Sequence, residues 1–140
     1  MMKLNPDCIR DVLLWIEENQ KMEIGYNDFL TGRMNRLLSK DIPQYISDYS
    51  AEDVLYSVNQ MVYSELLLVR PLAISDANVF CIEYIAPKGH EFLENIRSND
   101  NWEKTKSIAT KVGASTLRGL STIATKLIAE IISKTINPAQ

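Results

Sequence analysis

The chain has 140 residues, the length of one domain, with 46% apolar and 24% charged residues. That balance excludes a disordered or low-complexity chain. A chain of this length buries roughly 68–70% of its unfolded surface, so it needs neither metal nor disulfide to fold.

The formal charge of −3 is unevenly spread. Residues 1–100 carry 9 Lys+Arg and 16 Asp+Glu, a net of −7; residues 101–140 carry 6 Lys+Arg against Glu103 and Glu130, a net of +4. A basic tail folded onto an acidic body accounts for this, as does a tail that meets phosphate or anionic lipid. The sequence has no run of 18 apolar residues and no internal repeat, and its start, MMKLNPD, is too polar for a secretory signal. A cytoplasmic protein without an integral membrane segment is expected.

"NPDCIRDVLLWIEEN" predicts the first helix. Asn5 is placed to cap it, Pro6 suits its first position, and Asp7 favours the positive end of the helix dipole. Ile9, Val12, Leu13 and Ile16 recur at helical spacing, and the helix is expected to end near Asn19. "KMEIGY" reads as one small strand. "DFLTGRMNRLLSK" puts Leu30, Met34, Leu37 and Leu38 on one stripe, and Pro43 biases Ile42 away from helix.

"SAEDVLYSVNQMVYSELLL" predicts a second clear helix, capped by Ser50, with Val54, Val58, Met61 and Val62 as its buried stripe. The period then changes. "LLLVRPLA" and "NVFCIEYI" read as strands joined through "ISDAN", and Pro71 argues for an edge position or a bulge. After Ile85 the pattern is helical again, with Phe92, Leu93 and Ile96 together. "DNWE" offers Asp100 as a cap with Glu103 as its capping-box partner, ahead of a helix bearing Trp102, Ile108, Ala109 and Val112. Gly113 marks a break or a tight packing point. The last helix carries Leu117, Leu120, Ala124, Leu127 and Ile131 at spacings of 3, 4, 3 and 4, a short heptad-like seam.

The expected fold is mostly α with a small β-hairpin. The order helix, short strand, helix, helix, two-stranded hairpin, helix is that of a winged helix-turn-helix-like domain, over residues 1–98. Residues 99–140 form a C-terminal extension of two helices that packs on the domain or on a second copy.

"MKLNPDCIRDVLLWIEEN", "YSAEDVLYSVNQMV" and "APKGHEFLENIRSNDNWEKTKSIATKVG" resemble, in that order, family 2513 of the domains of unknown function, found in bacterial chromosomes and prophages. The likeness covers most of the chain and is weakest from Lys21 to Tyr49. It implies a domain but, with no established activity, no site residues. The middle is also similar to winged helix regulators, in which a helix ends in a small residue and glycine before "LL" and the wing. Here those positions are Ser64, Glu65, Leu66 and Leu67, so Glu65 stands where the glycine is usual; Ala86 in "APKGHEFL" stands where a wing exit usually has threonine.

His90 is the only histidine. No nucleophile-elbow serine or Cys–His motif accompanies it, and one histidine with two distant cysteines gives no zinc pattern. The structural reading is stronger: Pro87 opens a helix, Gly89 allows a close approach, and His90 bonds locally. Cys8 and Cys81 read as buried free thiols. The sequence therefore predicts no catalytic, cofactor-binding or metal site, and no enzyme.

Two functions are expected from the helix over 50–64. As a winged helix-type nucleic-acid-binding or regulatory protein, it would present Tyr56, Asn59, Gln60 and Tyr63 to DNA, with Arg70 supporting from the wing and Arg33, Arg36 and Lys40 adding charge. Against this, the helix has no Lys or Arg, and Glu52 and Asp53 repel phosphate. The alternative is a protein–protein interaction module on the same scaffold. Leu117, Leu120, Leu127 and Ile131 are the residues expected to support a homodimer through the last helix.

Overall fold

The computed structural model describes residues 3–18, 24–25, 49–71 and 80–136. The protein is mostly helical with a small antiparallel hairpin, and it divides into two compact units, Met1–His90 and Glu91–Gln140. Residues 91–98 thus group in space with the C-terminal helices. The stripe Leu30, Met34, Leu37 and Leu38, the turn "ISDAN", and Arg33, Arg36 and Lys40 lie outside the described residues.

In the first unit, α1 (Pro6–Glu18) starts as its sequence requires. Pro6 takes the first helical position, and the Asn5 side-chain oxygen accepts the Cys8 backbone N–H at 3.2 Å. Its buried face is wider than the four-residue stripe: Cys8 and Trp15 join Ile9, Val12, Leu13 and Ile16. α2 (Ala51–Tyr63) packs against α1. Ser50 caps it, accepting the Asp53 N–H at 3.0 Å. Val54, Val58 and Met61 are buried as expected, but Ser57 takes the fourth core place and Val62 is only half-buried. The spacing explains this, because residues 54, 57, 58 and 61 form one i, i+3, i+4, i+7 row.

α2 closes with a Schellman motif. The Glu65 N–H bonds to the Val62 carbonyl at 3.1 Å and the Leu66 N–H to the Met61 carbonyl at 2.8 Å. Glu65 itself adopts the left-handed conformation, φ 63°. The turn therefore forms with a glutamate where glycine is usual.

Three strands follow the order β1-β3-β2, all antiparallel: β1 (Ile24–Gly25), β2 (Leu67–Pro71) and β3 (Phe80–Ile85). Pro71 lies on an edge strand, where its missing N–H is tolerated. The register runs Leu67↔Ile85, Leu68↔Tyr84, then Val69↔Ile82, so Glu83 is an extra residue on β3. The bulge has a packing consequence. Ile82 and Ile85 are three apart and would face opposite sides of a regular strand, yet both are buried. Leu68 and Tyr84 are left outside, 39% and 47% exposed.

The hairpin leads into α3 (Pro87–Ile96), with Pro87 at its first position. The Ala86 N–H bonds to the Leu66 carbonyl at 2.9 Å, tying the exit of the hairpin to its start. Gly89 lies against the same place. A Cβ there would overlap the Leu66 carbonyl oxygen and stand 2.6 Å from Ile85 Cγ2.

In the second unit, Phe92, Leu93 and Ile96 are buried. α4 (Asn99–Val112) begins before the expected cap. Ser98, not Asp100, is its N-cap, accepting the Asn101 N–H at 3.2 Å. Asp100 instead pairs with Lys104 at 3.0 Å and Glu103 with Lys106 at 3.2 Å, both within the helix. The core row of α4 is Trp102, Thr105 and Ala109; the Thr105 hydroxyl donates to the Asn101 carbonyl at 2.8 Å. Ile108 and Val112, the other two apolar residues named for this helix, are 36% and 66% exposed, because Ile108 flanks that row and Val112 lies at the end of the helix.

Gly113, φ 73°, ends α4 in a second Schellman motif, with the Ala114 N–H bonded to the Ala109 carbonyl at 2.9 Å. α5 (Leu117–Ile136) then packs on α4. Leu117, Leu120 and Ala124 are buried, whereas Leu127 and Ile131 are half-exposed and Ile132 and Ile136 stand out at 51% and 69%. The lengths account for this. α5 has 20 residues and α4 has 14, so at 1.5 Å per residue the longer helix outruns its neighbour by about 9 Å. No helix among the described residues is long and apolar enough to cross a membrane.

Candidate interaction surface

The outward face of α2 is built by spacing. With Val54, Ser57, Val58 and Met61 turned to α1, the row Glu52, Tyr56, Asn59 and Tyr63 falls on the opposite side, and Gln60 beside it. Tyr63 is the most exposed, at 79%; Tyr56, Asn59 and Gln60 are half-exposed. Asn59 and Gln60 thus offer amide donors and acceptors between two phenol rings. α2 has no basic residue, and its first turn carries Glu52 and Asp53.

Arg70 lies by its backbone in β2, opposite Cys81, and its side chain is outside what is described. Sequence reasoning missed two exposed apolar residues on the hairpin that follows α2, Leu68 and Tyr84. They are register partners on the outer side of the hairpin, both exposed. An apolar run gives no sign of which residues face out, and here the bulge decides it.

Residues 3–115 match the family described as Hypothetical protein (DUF2513). The chain belongs to that family. No curated protein and no solved structure matches it. The DUF2513 match takes in both the α2 face and the hairpin, and it stops before α5.

Under the α2 face lie three polar groups, Cys8, Ser57 and Tyr49. Burial pushes the Cys8 thiol up to about 11, against a partial opposing effect from the Ser57 hydroxyl, with Asp53 and Asp11 adding to the rise. A thiol held protonated is a poor nucleophile. Among the described residues the buried Ser57 hydroxyl has no hydrogen-bond partner, although it lies near enough to the Cys8 thiol to oppose the rise. The Tyr49 hydroxyl donates to Asp11 Oδ2 at 2.7 Å, pinning the start of α2 to α1. Burial raises the Tyr49 pKa, and its bond to Asp11 and the charges of Asp11 and Asp7 raise it further.

His90 is exposed on α3, its backbone N–H bonded to the Ala86 carbonyl at 3.0 Å. Among the described residues, no group of three or more His, Cys, Asp or Glu could hold a metal ion. Of the residues expected in self-association, Leu117 and Leu120 are buried within the single chain, while Leu127 and Ile131 remain partly accessible.

Proposed function

We propose that this protein is a non-catalytic, cytoplasmic regulatory module of winged helix type that works by binding another protein through the outward face of α2 and the hairpin. The accessible end of α5 serves as its homodimerisation element. Support for the scaffold comes from the sheet order β1-β3-β2, with α2 leading straight into an antiparallel hairpin.

The observation that carries the choice of partner is the chemistry of α2: exposed tyrosine and half-exposed amides, no cation, and two acids in the first turn. Tyrosines and uncharged amides suit a protein interface. Non-specific DNA affinity comes chiefly from cations neutralising phosphates, and α2 supplies none. DNA binding is the second reading. It is favoured by Asn59 and Gln60, which have the donor–acceptor pair that reads adenine, and by Arg70 on the wing.

A gel shift with mixed DNA fragments at several salt concentrations separates the two readings. The expected result is no retardation at physiological salt. Retardation that weakens steeply with salt, and that falls for all fragments in Arg70→Ala, would replace the protein-binding reading with the DNA one.

A further inference from the structure

We propose that two copies of the chain associate reciprocally, the projecting end of α5 in each copy docking on the tyrosine-bearing α2 and hairpin face of the other. This rests on the reading of that face as a protein interface, and it names the occupant.

Among the described residues, besides Ile108 and Val112 on α4, exposed apolar side chains occur at two places. One is Tyr63 on α2 with Leu68 and Tyr84 on the hairpin; the other is Ile132 and Ile136 at the end of α5, continued by half-exposed Leu127, Ile128 and Ile131. Each alone is small beside a standard interface of about 20–30 residues a side. Used reciprocally, they make two contacts per dimer, which doubles the buried area.

Charge selects the pairing. Residues 1–90 carry 8 Lys+Arg and 13 Asp+Glu, a net of −5, whereas residues 91–140 carry 7 and 5, a net of +2. The contrast is sharper on the two elements themselves. α2 holds Glu52 and Asp53 and no cation. α5 holds Arg118, Lys126 and Lys134 against Glu130, and Glu130 is engaged by Lys134 at 3.1 Å. Two α5 helices brought together carry like charge, while α5 against the acidic unit brings opposite charge together. A lipid surface fits less well, because α5 has no Trp or Tyr to anchor an interfacial helix.

Sedimentation of the full chain over the micromolar range, at low and high salt, reads the proposal. A concentration-dependent dimer that weakens with salt is expected. Tyr63→Asp and Ile132→Asp, both at exposed positions, should each give a folded monomer by circular dichroism. Mixing these two variants is the decisive arm. One intact contact remains between them, so the mixture associates where neither variant alone does, though more weakly than the wild type. Lys126→Glu with Lys134→Glu should weaken the dimer by at least about threefold, and adding Glu52→Lys with Asp53→Lys should restore it.

A monomer at high micromolar concentration in low salt overturns the proposal. So does a dimer that Ile132→Asp abolishes but Tyr63→Asp and salt leave untouched, which would mean α5 pairing with α5. Binding of the monomeric wild type to phosphatidylserine vesicles would assign α5 to membranes instead. None of these results retards DNA, so the gel shift judges the α2 face separately.

Discussion

Two helices of this protein end in the same motif with different residues at its critical point. α4 closes through Gly113, φ 73°, and α2 closes through Glu65, φ 63°. Both use the same pair of backbone bonds to the last turn of the helix. Glycine enters the left-handed region without steric cost, whereas a residue with a Cβ is disfavoured there by roughly 1–2 kcal/mol. The α4 end therefore forms on local preference alone. The α2 end is held from outside: Leu66, one residue after Glu65, accepts the Ala86 N–H and lies against Gly89. A helix end that local sequence disfavours is set by what the chain brings back to it some twenty residues later.

The largest expected effect tests that outside hold. Gly89→Ala puts a methyl group into the Leu66 carbonyl, which is backbone and cannot rotate away. The helix and hairpin must separate, at a cost of about 1–3 kcal/mol. A urea titration should show this as a lower midpoint. An unchanged midpoint would mean that the close approach at Gly89 does not hold the α2 end.

Gly113→Ala comes next. Nothing lies within 4 Å of the added Cβ, so the cost is conformational, about 1–2 kcal/mol. Glu65→Gly is the mirror experiment and should raise Tm by a few degrees. If Gly113→Ala is silent, or Glu65→Gly lowers Tm, the strain argument at these two ends fails.

The same contrast shows what the sequence makes legible. The Gly113 end, the Asn5 and Ser50 caps, the Pro87 start, the apolar row of α1 and, apart from Val62, that of α2 are local signals, and the structure has them. The Ser98 cap was hidden because "SNDN" offers several capping side chains in succession. The outward turn of Leu68 and Tyr84 was hidden because a bulge at Glu83 resets the strand's alternation, and an apolar run does not record its register. The α2 face was legible as a row of residues, since helical spacing defines it. The exposed end of α5 was not, because it depends on α4 being six residues shorter.

A smaller effect concerns the interior beneath α2. The Cys8 pKa is raised from 9.0 to about 11, so the unfolded chain loses this proton at lower pH than the folded one. Its contribution to stability is intact below about pH 9 and is lost as pH rises towards 11. Tm should fall over that window, and Cys8→Ala, although less stable at neutral pH, should fall less steeply. An equal slope in both proteins would place the dependence on other groups.

The smallest expected effect is at the Glu65–Lys88 ion pair, and it completes the comparison of the two helix ends. The ammonium lies 2.7 Å from the Glu65 carboxylate, and both side chains are largely exposed. This pair is the obvious candidate for what holds Glu65 in its left-handed turn. Exposed pairs contribute little, because water and salt screen them and both side chains lose freedom. The Lys88 hydrogen bond and charge hold the Glu65 pKa below its ordinary value. The small contribution is therefore present at neutral pH and lost only as pH falls through that lowered value. Lys88→Ala should return the Glu65 carboxyl to the ordinary range in an NMR titration, yet leave Tm almost unchanged. A Tm loss as large as that of Gly113→Ala would show that the ion pair, rather than the Leu66 backbone bonds and the close packing at Gly89, is what fixes a glutamate where its sister helix needs glycine.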